Sequence, residues 1–227
     1  MISTAKFLIH AVPQRMWYVN EYLIPSMTAQ GIAESDIIVV CDTEKKGCLQ
    51  MFAESCGTLP ESGDTWHLQD DVLISSNFRE ETEKDRQGII CGICTVYDKD
   101  RQPGWTDISQ TWYSFPCIRI PNKIATGLAK WWTEYASTSY EVTLYNIRKS
   151  GKNDDMLFRI YVEKFFPDEP VLNLAPNIVE HIDYMIGGTT TNMGRSENYV
   201  GSQYWYEPEL TDKLMNEILK RCKEKSA

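Results

Sequence analysis

Short apolar runs and segments with helical spacing alternate along the first half of the chain. Four apolar runs predict β-strands: Lys6–Val12, Asp36–Cys41, Thr65–Gln69 and Gly88–Tyr97. Between them, apolar residues recur at helical intervals from about Gln14 and over Gly47–Cys56, and a polar segment rich in charged residues predicts a helix over Phe78–Arg86. Strands separated by helices predict an α/β fold in which a mainly parallel central sheet is flanked by helices.

Two of these segments carry further local predictions. Pro25 lacks a backbone N–H, so we expect it to bend or end the first helix. The second strand, DIIVVC at Asp36–Cys41, is nearly all apolar, and we therefore expect both of its faces to be covered.

The pattern is less regular in the second half of the chain. A polar segment predicts a loop over Asp98–Thr111, and Pro121 favours the start of a helix. The other predicted elements follow in chain order: a strand at Tyr113–Ile120, a helix from Asn153 or Asp154 to about Phe165, a strand at Pro170–Ala175 and a last helix from Pro208. We expect one domain over residues 1–200, with a C-terminal helical extension over residues 201–227 packed on it.

Composition excludes several classes of protein. The chain has 227 residues, 42% of them hydrophobic, and its 23 basic against 32 acidic side chains give a formal net charge of −9. This acidity disfavours general nucleic-acid binding, and the longest uncharged apolar run, Gly88–Tyr97, is too short to span a membrane. Seven scattered cysteines, and no signal-peptide pattern in Met1–His10, predict a reduced, cytoplasmic protein without stable membrane insertion.

An acidic pair, Asp70-Asp71, directly follows the third predicted strand and precedes the apolar segment Val72–Ile74. Ligand sites of such sheets lie at the carboxyl ends of the strands. Two adjacent carboxylates repel each other unless a cation lies beside them, and oxygen ligands suit Mg²⁺ or Mn²⁺. The pair therefore predicts a divalent-metal site, with a solvated turn that caps the following helix as the alternative.

His181 is a second candidate metal ligand, because it follows an apolar strand in the segment PNIVEH and a neutral imidazole binds Mn²⁺. The alternative is a structural histidine that is held by hydrogen bonds. We assign that structural role to His10 and His67, which lie inside their predicted strands.

A second acidic pair, Asp154-Asp155, lies at the start of a predicted helix. One of these carboxylates would act as a general base if an acceptor hydroxyl lay beside it, and the alternative is stabilisation of the helix N-terminus. Arg15, after the first strand, and Arg195, after the loop Gly187–Asn192, are candidate contacts for a nucleobase or a phosphate. For both arginines an exposed surface position is the alternative.

The order of these features resembles that of the nucleotide-sugar glycosyltransferases of the GT-A fold, and the similarity spans most of residues 4–200. The segment WHLQDDVLI at Trp66–Ile74 resembles the metal motif of that family, which is Asp-x-Asp in its strict form. Asn153–Asp155 resembles its later acidic motif, and Pro176–His181 resembles the strand that supplies a late histidine near the diphosphate. Small proteins of this kind occur in phages and in bacterial sugar-modification clusters.

The resemblance implies roles for the candidate residues. Asp71, alone or with Asp70, would hold Mn²⁺ or Mg²⁺ at the donor diphosphate, and His181 would complete the metal shell. Asp155 would deprotonate the acceptor hydroxyl, with Asp154 as the alternative. Contacts to the donor would come from several loops: Val12, Pro13, Arg15 and Asp42 at the nucleobase and ribose, and Gly187, Gly188, Thr189 and Arg195 at the phosphates.

These residues and the resemblance together predict a metal-dependent glycosyltransferase. Its donor is a nucleotide-sugar, with a UDP-sugar as the first expectation, and its acceptor is a glycan, a small molecule or a modified nucleic-acid base. Attack assisted by a base predicts inversion at the anomeric carbon. One alternative is a nucleotidyltransferase that makes a nucleotide-sugar, which usually has a glycine-rich loop where this chain has AVPQR. The other is a non-catalytic nucleotide-binding or assembly protein on the same scaffold.

Overall fold

The computed structural model describes residues 6–93, 104–107, 116–139, 154–175 and 177–182, and the single residues 186, 216, 217, 220 and 224. The strands are β1 Lys6–Ala11, β2 Ile37–Cys41, β3 Asp64–Gln69, β4 Val72–Ile74, β5 Ile89–Cys91, β6 Gly104–Asp107, β7 Cys117–Pro121, β8 Val171–Ala175 and β9 Val179–His181. The α-helices are α1 Met16–Tyr18, α2 Ile24–Ala29, α3 Cys48–Cys56, α4 Phe78–Thr82, α5 Asn122–Glu134 and α6 Asp154–Phe165. Three 3₁₀ segments (Pro13–Arg15, Glu34–Asp36 and Ala136–Thr138) and one π segment (Val19–Leu23) complete the described elements.

The central sheet has seven strands in the order β2-β1-β3-β7-β5-β8-β6. Pairing is parallel between β1 and both of its neighbours, and between β5 and β8. It is antiparallel at β3–β7, β5–β7 and β6–β8, so that only β7 and β6 run against the other strands. A second, two-stranded sheet pairs β4 with β9. The expected α/β fold with a mainly parallel central sheet is confirmed.

Helices cover both faces of this sheet. Side chains of successive strand residues point to opposite faces, so each face contributes to a separate hydrophobic cluster. Phe7 and Ile9 of β1 belong to a hydrophobic cluster with the helical segments that follow β1 and with the small sheet. Leu8, between them, belongs to a second cluster with α3, α5 and α6. The register of β3 against β1 extends this division, so that His67 and Gln69 lie on the same face as Leu8.

The first helical region continues through Pro25 instead of ending there. A π segment, Val19–Leu23, precedes the proline, and the Ile24 N–H bonds to the Val19 carbonyl. Pro25 then lies in the first turn of α2, directly after the π segment, and prolines and π segments are both sites where continuous helices bend. Of the two outcomes expected at Pro25, an end of the helix was therefore wrong, and a bend stays a prediction.

Further predictions are corrected by the sheet order and the element bounds. Strand β2 lies at the edge of the sheet, and the side chain of Ile38 is 45% exposed. The expectation that both faces of this strand are covered was therefore wrong. The segment Gly104–Asp107, inside the predicted loop, forms strand β6 by pairing with β8. Helix α4 ends at Thr82, four residues before Arg86, and within the described residues the fourth predicted strand comprises Ile89–Cys91.

Several predictions fall on residues outside the described ranges, including the loop Gly187–Asn192, Arg195 and most of the predicted last helix. Of that helix, residues 216, 217, 220 and 224 are described, and each is helical. The division into residues 1–200 and 201–227 therefore stays a prediction. Among the described helices, none has the length and apolar character needed to cross a lipid bilayer.

Gly88 occupies a backbone conformation and a space that tolerate no side chain. Its φ is +83°, and a Cβ built there would lie 2.6 Å from the Pro170 carbonyl oxygen. We expect Gly88→Ala to lower the free energy of unfolding by about 2–4 kcal/mol, since a left-handed conformation and overpacking both cost energy. Urea denaturation measures this change.

Gly63 provides the matched control for this substitution. Its φ is +92°, but the nearest atom to an added Cβ is 3.8 Å away, at the Asn122 amide nitrogen. Gly63→Ala should therefore show only the conformational cost, about 1 kcal/mol. Equal losses in the two variants would contradict the role of the Pro170 contact.

Candidate functional site

The acidic pair lies at the carboxyl end of β3 and is buried. Asp70 is 1% exposed and Asp71 is 3% exposed. The Asp70 N–H donates to the His10 carbonyl at 3.0 Å, and the Val12 N–H donates to Asp70 Oδ2 at 2.7 Å. Because β1 and β3 are parallel neighbours, their carboxyl ends lie side by side and hold Asp70 in place. The interpretation of the pair as a solvated turn was wrong.

Arg15 supplies the positive charge beside the pair. It ends the 3₁₀ segment Pro13–Arg15, directly after β1, and its guanidinium contacts both carboxylates. Nη2 lies 2.6 Å from Asp70 Oδ1, and Nη1 donates to Asp71 Oδ2. Arg15 is 9% exposed, so the alternative of an exposed surface arginine was wrong.

His181 approaches the same pair from the small sheet. Strand β9 pairs with β4, with His181 opposite Val72, and the Ile182 N–H donates to the Asp71 carbonyl at 2.8 Å. His181 Nε2 lies 3.2 Å from Asp71 Oδ1. The structure thus brings together Asp70, Asp71 and His181, which the sequence analysis proposed as metal ligands.

Burial and charge shift the two carboxyl pKa values in opposite directions. Burial raises the pKa of Asp70 to about 7, where the Arg15 charge opposes the rise and the Asp71 charge adds to it. Burial also acts to raise the pKa of Asp71, but the hydrogen bond and charge of His181, together with Arg15, outweigh it and hold that pKa below its usual value. Asp71 is therefore the member of the pair with the lower pKa.

The second acidic pair begins α6, and its two members have different surroundings. Asp154 is buried, and Gln69 Nε2 donates to its Oδ2 at 3.5 Å. Asp155 is only half-buried, and its Oδ1 accepts the Met156 N–H at 2.8 Å. Burial raises the pKa of Asp154 to about 6, and the charge of Asp71 contributes to the rise. Asp154, rather than Asp155, is thus linked through Gln69 to the end of β3.

Asp42 and Pro13 lie at loops that follow neighbouring strands. The Asp42 N–H bonds to the Ala11 carbonyl at 2.8 Å, next to the end of β1. Its carboxylate accepts the N–H groups of Lys46 and Gly47, each at 2.8 Å, and so shapes the turn before α3. Pro13 is exposed and Val12 is half-buried. Their contacts with a nucleobase or ribose stay predictions, while Gly188, Thr189 and Arg195 lie outside the described residues.

Sequence reasoning missed two features of this region, the burial of Arg15 and the contact of Gln69 with Asp154. A signal for each was present in the chain. Arg15 follows the strand that neighbours the acidic pair in a parallel sheet, and carboxyl ends of such strands meet at one edge. Gln69 directly follows buried Leu68, and successive side chains of a strand point to opposite faces. The side chain of Gln69 therefore lies on the face that α3 and α6 cover.

Two stacked histidines lie beneath the site on that same face. His10 Nε2 and His67 Nδ1 are 3.1 Å apart, and the rings are nearly parallel with centroids 5.4 Å apart. Phe52 of α3 packs against both rings. Burial lowers the pKa of His10 from 6.5 to about 4, and lowers that of His67 well below its usual value with the help of the His10 charge. These contacts agree with the structural role expected for both residues.

The histidine pair predicts a loss of stability in acid. Both residues are neutral in the folded protein, whereas in the unfolded chain they bind protons below about pH 6.5. The stabilising contribution of His10 is therefore complete above pH 6.5 and decreases as the pH falls towards about 4, by about 3 kcal/mol. Urea denaturation between pH 7 and pH 4.5 should show a smaller decrease in His10→Gln than in the wild type. Equal pH dependence in the two proteins would contradict a neutral His10 in the folded protein.

The residues at the acidic pair suit a divalent cation with few protein ligands. Within the described ranges, no group of three or more His, Cys, Asp and Glu side chains is arranged to hold a metal ion. Mg²⁺, however, commonly uses one or two carboxylates and takes its other ligands from water and substrate phosphates. Asp71 Oδ1 and His181 Nε2 lie 3.2 Å apart and offer a carboxylate and an imidazole. Mn²⁺ would accept both donors, whereas Mg²⁺ would rely on the carboxylates.

Comparisons with known proteins give distant similarities in structure. No protein family and no curated protein matches the sequence. The glycosyltransferase GlyE of Streptococcus pneumoniae TIGR4 is similar with a TM-score of 0.43 and 12% identity, over 99% of this chain and 64% of that chain. The inositol-1-phosphate CTP transferase from T. maritima has a TM-score of 0.42 and 10% identity, over 96% and 98% of the two chains. HddC from Yersinia pseudotuberculosis has a TM-score of 0.32 and 12% identity, over 54% and 79%. At these values the comparisons assign neither a family nor an activity.

Proposed function

We propose that this protein is a metal-dependent glycosyltransferase that transfers a sugar from a nucleotide-sugar to an acceptor hydroxyl. The observation that carries the proposal is the buried pair Asp70-Asp71 at the carboxyl end of β3, in contact with His181. Burying two adjacent carboxylates is costly without compensating charge. A site with this composition at the ligand-binding edge of a sheet is suited to a cation and an anionic ligand.

The metal would be Mn²⁺ or Mg²⁺, held by Asp71 and His181. When bound, it would supply Lewis-acid stabilisation of the negative charge on the departing nucleoside diphosphate, typically worth several kcal/mol. Asp70 supports this arrangement, because its Oδ2 accepts the Val12 N–H and fixes the loop that carries Val12 and Pro13 beside the pair. In the proposal that loop borders the nucleobase and ribose of a UDP-sugar, together with Asp42.

Asp154 is the residue best placed to act as the general base. A base is most effective when its pKa lies near the working pH, and burial brings the pKa of Asp154 to about 6. Asp155 instead accepts a hydrogen bond from the backbone of the first turn of α6. Proton removal by Asp154 on the side opposite the leaving group would lead to inversion at the anomeric carbon.

The activity is tested with a panel of nucleotide-sugars and candidate acceptors in Mn²⁺, in Mg²⁺ and in EDTA. We expect a nucleoside diphosphate to be released from one donor, only when metal is present, and NMR of the product to give the inverted anomeric configuration. A nucleotidyltransferase would instead release pyrophosphate from a nucleoside triphosphate and a sugar phosphate. No turnover of any donor by the wild type would favour a non-catalytic binding protein.

A further inference from the structure

The Arg15 guanidinium already occupies the cation position at the acidic pair. It contacts Asp70 Oδ1 at 2.6 Å and donates to Asp71 Oδ2, and its side chain is 11% exposed. The third nitrogen of the guanidinium, Nε, is buried and makes no hydrogen bond within the described part of the chain. Among the residues that the structure describes, the two carboxylates are therefore the only groups that hold the Arg15 guanidinium.

The two oxygens of Asp71 are both engaged in this arrangement. Oδ2 accepts a hydrogen bond from Arg15, and Oδ1 faces His181 Nε2 at 3.2 Å. A divalent cation bound by Asp71 and His181 would lie beside the guanidinium in a site with little solvent. Like charges at such separations repel strongly in a low-dielectric interior, so the two cations compete for the same carboxylates.

The net charge of the site also favours one cation over two. With both carboxylates ionised, the pair and Arg15 together carry one negative charge, and the pair with a divalent ion alone carries none. Holding Arg15 and the divalent ion together would leave one buried positive charge. The neutral combination is reached only if Arg15 leaves when the metal binds.

We propose that Arg15 is a resident counter-cation that exchanges with the divalent metal at Asp70 and Asp71. The inference rests on the proposed function, because it assumes that this site binds Mn²⁺ or Mg²⁺. In the absence of metal Arg15 offsets one of the two buried carboxylate charges and helps to keep the fold intact. Metal binding releases the guanidinium toward the exposed turn at Pro13 and Gln14, where its planar donors suit a phosphate. Arg15 therefore lowers the metal affinity of the free protein.

The test compares Mn²⁺ binding by calorimetry in the wild type, Arg15→Gln, Arg15→Lys and the control Arg79→Gln. Arg79 contacts Glu83 and the Gln30 carbonyl, so its loss removes one positive charge elsewhere. We expect Arg15→Gln to bind Mn²⁺ at least about tenfold more tightly, because the competing state is removed. Arg15→Lys, which keeps a cation, and Arg79→Gln should stay near the wild-type dissociation constant. In thermal denaturation, Mn²⁺ should raise the melting temperature of Arg15→Gln by more than that of the wild type.

The outcomes separate the two proposals. If the wild type binds Mn²⁺ and Arg15→Gln binds it equally or more weakly, the exchange is wrong while the metal site remains. If neither protein binds Mn²⁺ at millimolar concentration, both the exchange and the metal site are wrong. Should Arg15→Gln fail to fold, NMR of the wild type decides: the Arg15 Nε–Hε signal, assigned by its loss in Arg15→Lys, should shift as Mg²⁺ is added. A signal that is unchanged at saturating Mg²⁺ overturns the exchange.

Discussion

Asp71→Ala is expected to reduce transfer from the nucleotide-sugar by about 10³-fold or more. Asp71 is the member of the pair with the lower pKa and the one in contact with His181, so its loss removes the main ligand of the proposed metal. Lewis-acid stabilisation of several kcal/mol corresponds to this factor in rate. The measurement is the release of nucleoside diphosphate at saturating Mn²⁺.

Two further variants make this result specific. Asp71→Asn keeps the size of the side chain and should lose activity to a similar degree, which excludes a packing effect. Asp64→Asn makes the same chemical change at the exposed amino end of β3, opposite the site, and should remain within about threefold of the wild type. Full activity in Asp71→Ala would remove the acidic pair from the mechanism.

Asp154→Asn is expected to lower kcat by about 10²–10⁴-fold, the usual contribution of a general base. Its pH profile gives a second signature. Because burial raises the pKa of Asp154 to about 6, kcat/KM of the wild type should rise with pH through that value as the carboxyl loses its proton. The limb near pH 6 should be absent from the residual activity of Asp154→Asn.

Asp155→Asn is the matched comparison, since it alters the neighbouring carboxylate at the same helix start. We expect a change of no more than about threefold, because the hydrogen bond from Gln69 at the end of β3 goes to Asp154, while Asp155 Oδ1 accepts the Met156 N–H. A larger loss in Asp155→Asn than in Asp154→Asn would reverse the assignment and restore the role that the resemblance implied for Asp155.

Sequence patterns were sufficient to predict the strands that position the site. Phe7 and Ile9 of β1 and Trp66 and Leu68 of β3 alternate with other residues and mark one buried face, so the two strands were predicted to within one residue of their bounds. The place of Asp70-Asp71 directly after β3 followed from the chain alone. The proximity of His181 to the pair did not follow, because it depends on the pairing of β9 with β4, two three-residue strands that are distant in the chain. The resemblance to the GT-A glycosyltransferases supplied that expectation.

The errors have a common physical origin in sheet order, which a single sequence does not specify. The apolar composition of Ile37–Cys41 predicts burial, but no described strand lies beyond β2, so Ile38 is exposed. Gly104–Asp107 is polar enough for a loop, yet at an edge of the sheet it needs only one neighbour, β8, to form a strand. The sequence analysis placed Arg15 either beside a ligand or on the surface. Its contact with Asp70 and Asp71 depends on where the strand next to β1 ends, which the sequence does not specify.

The most direct measurement of the central claim is a thermal-shift panel of nucleotide-sugars with and without Mn²⁺. A donor at about 100 times its dissociation constant should add about 2.7 kcal/mol to the free energy of unfolding. We predict that one nucleotide-sugar stabilises the wild type in Mn²⁺ by about this amount and that neither EDTA-treated protein nor Asp71→Asn responds. Stabilisation of equal size in EDTA, or none with any donor in Mn²⁺, would contradict a cation-dependent donor site at Asp70 and Asp71.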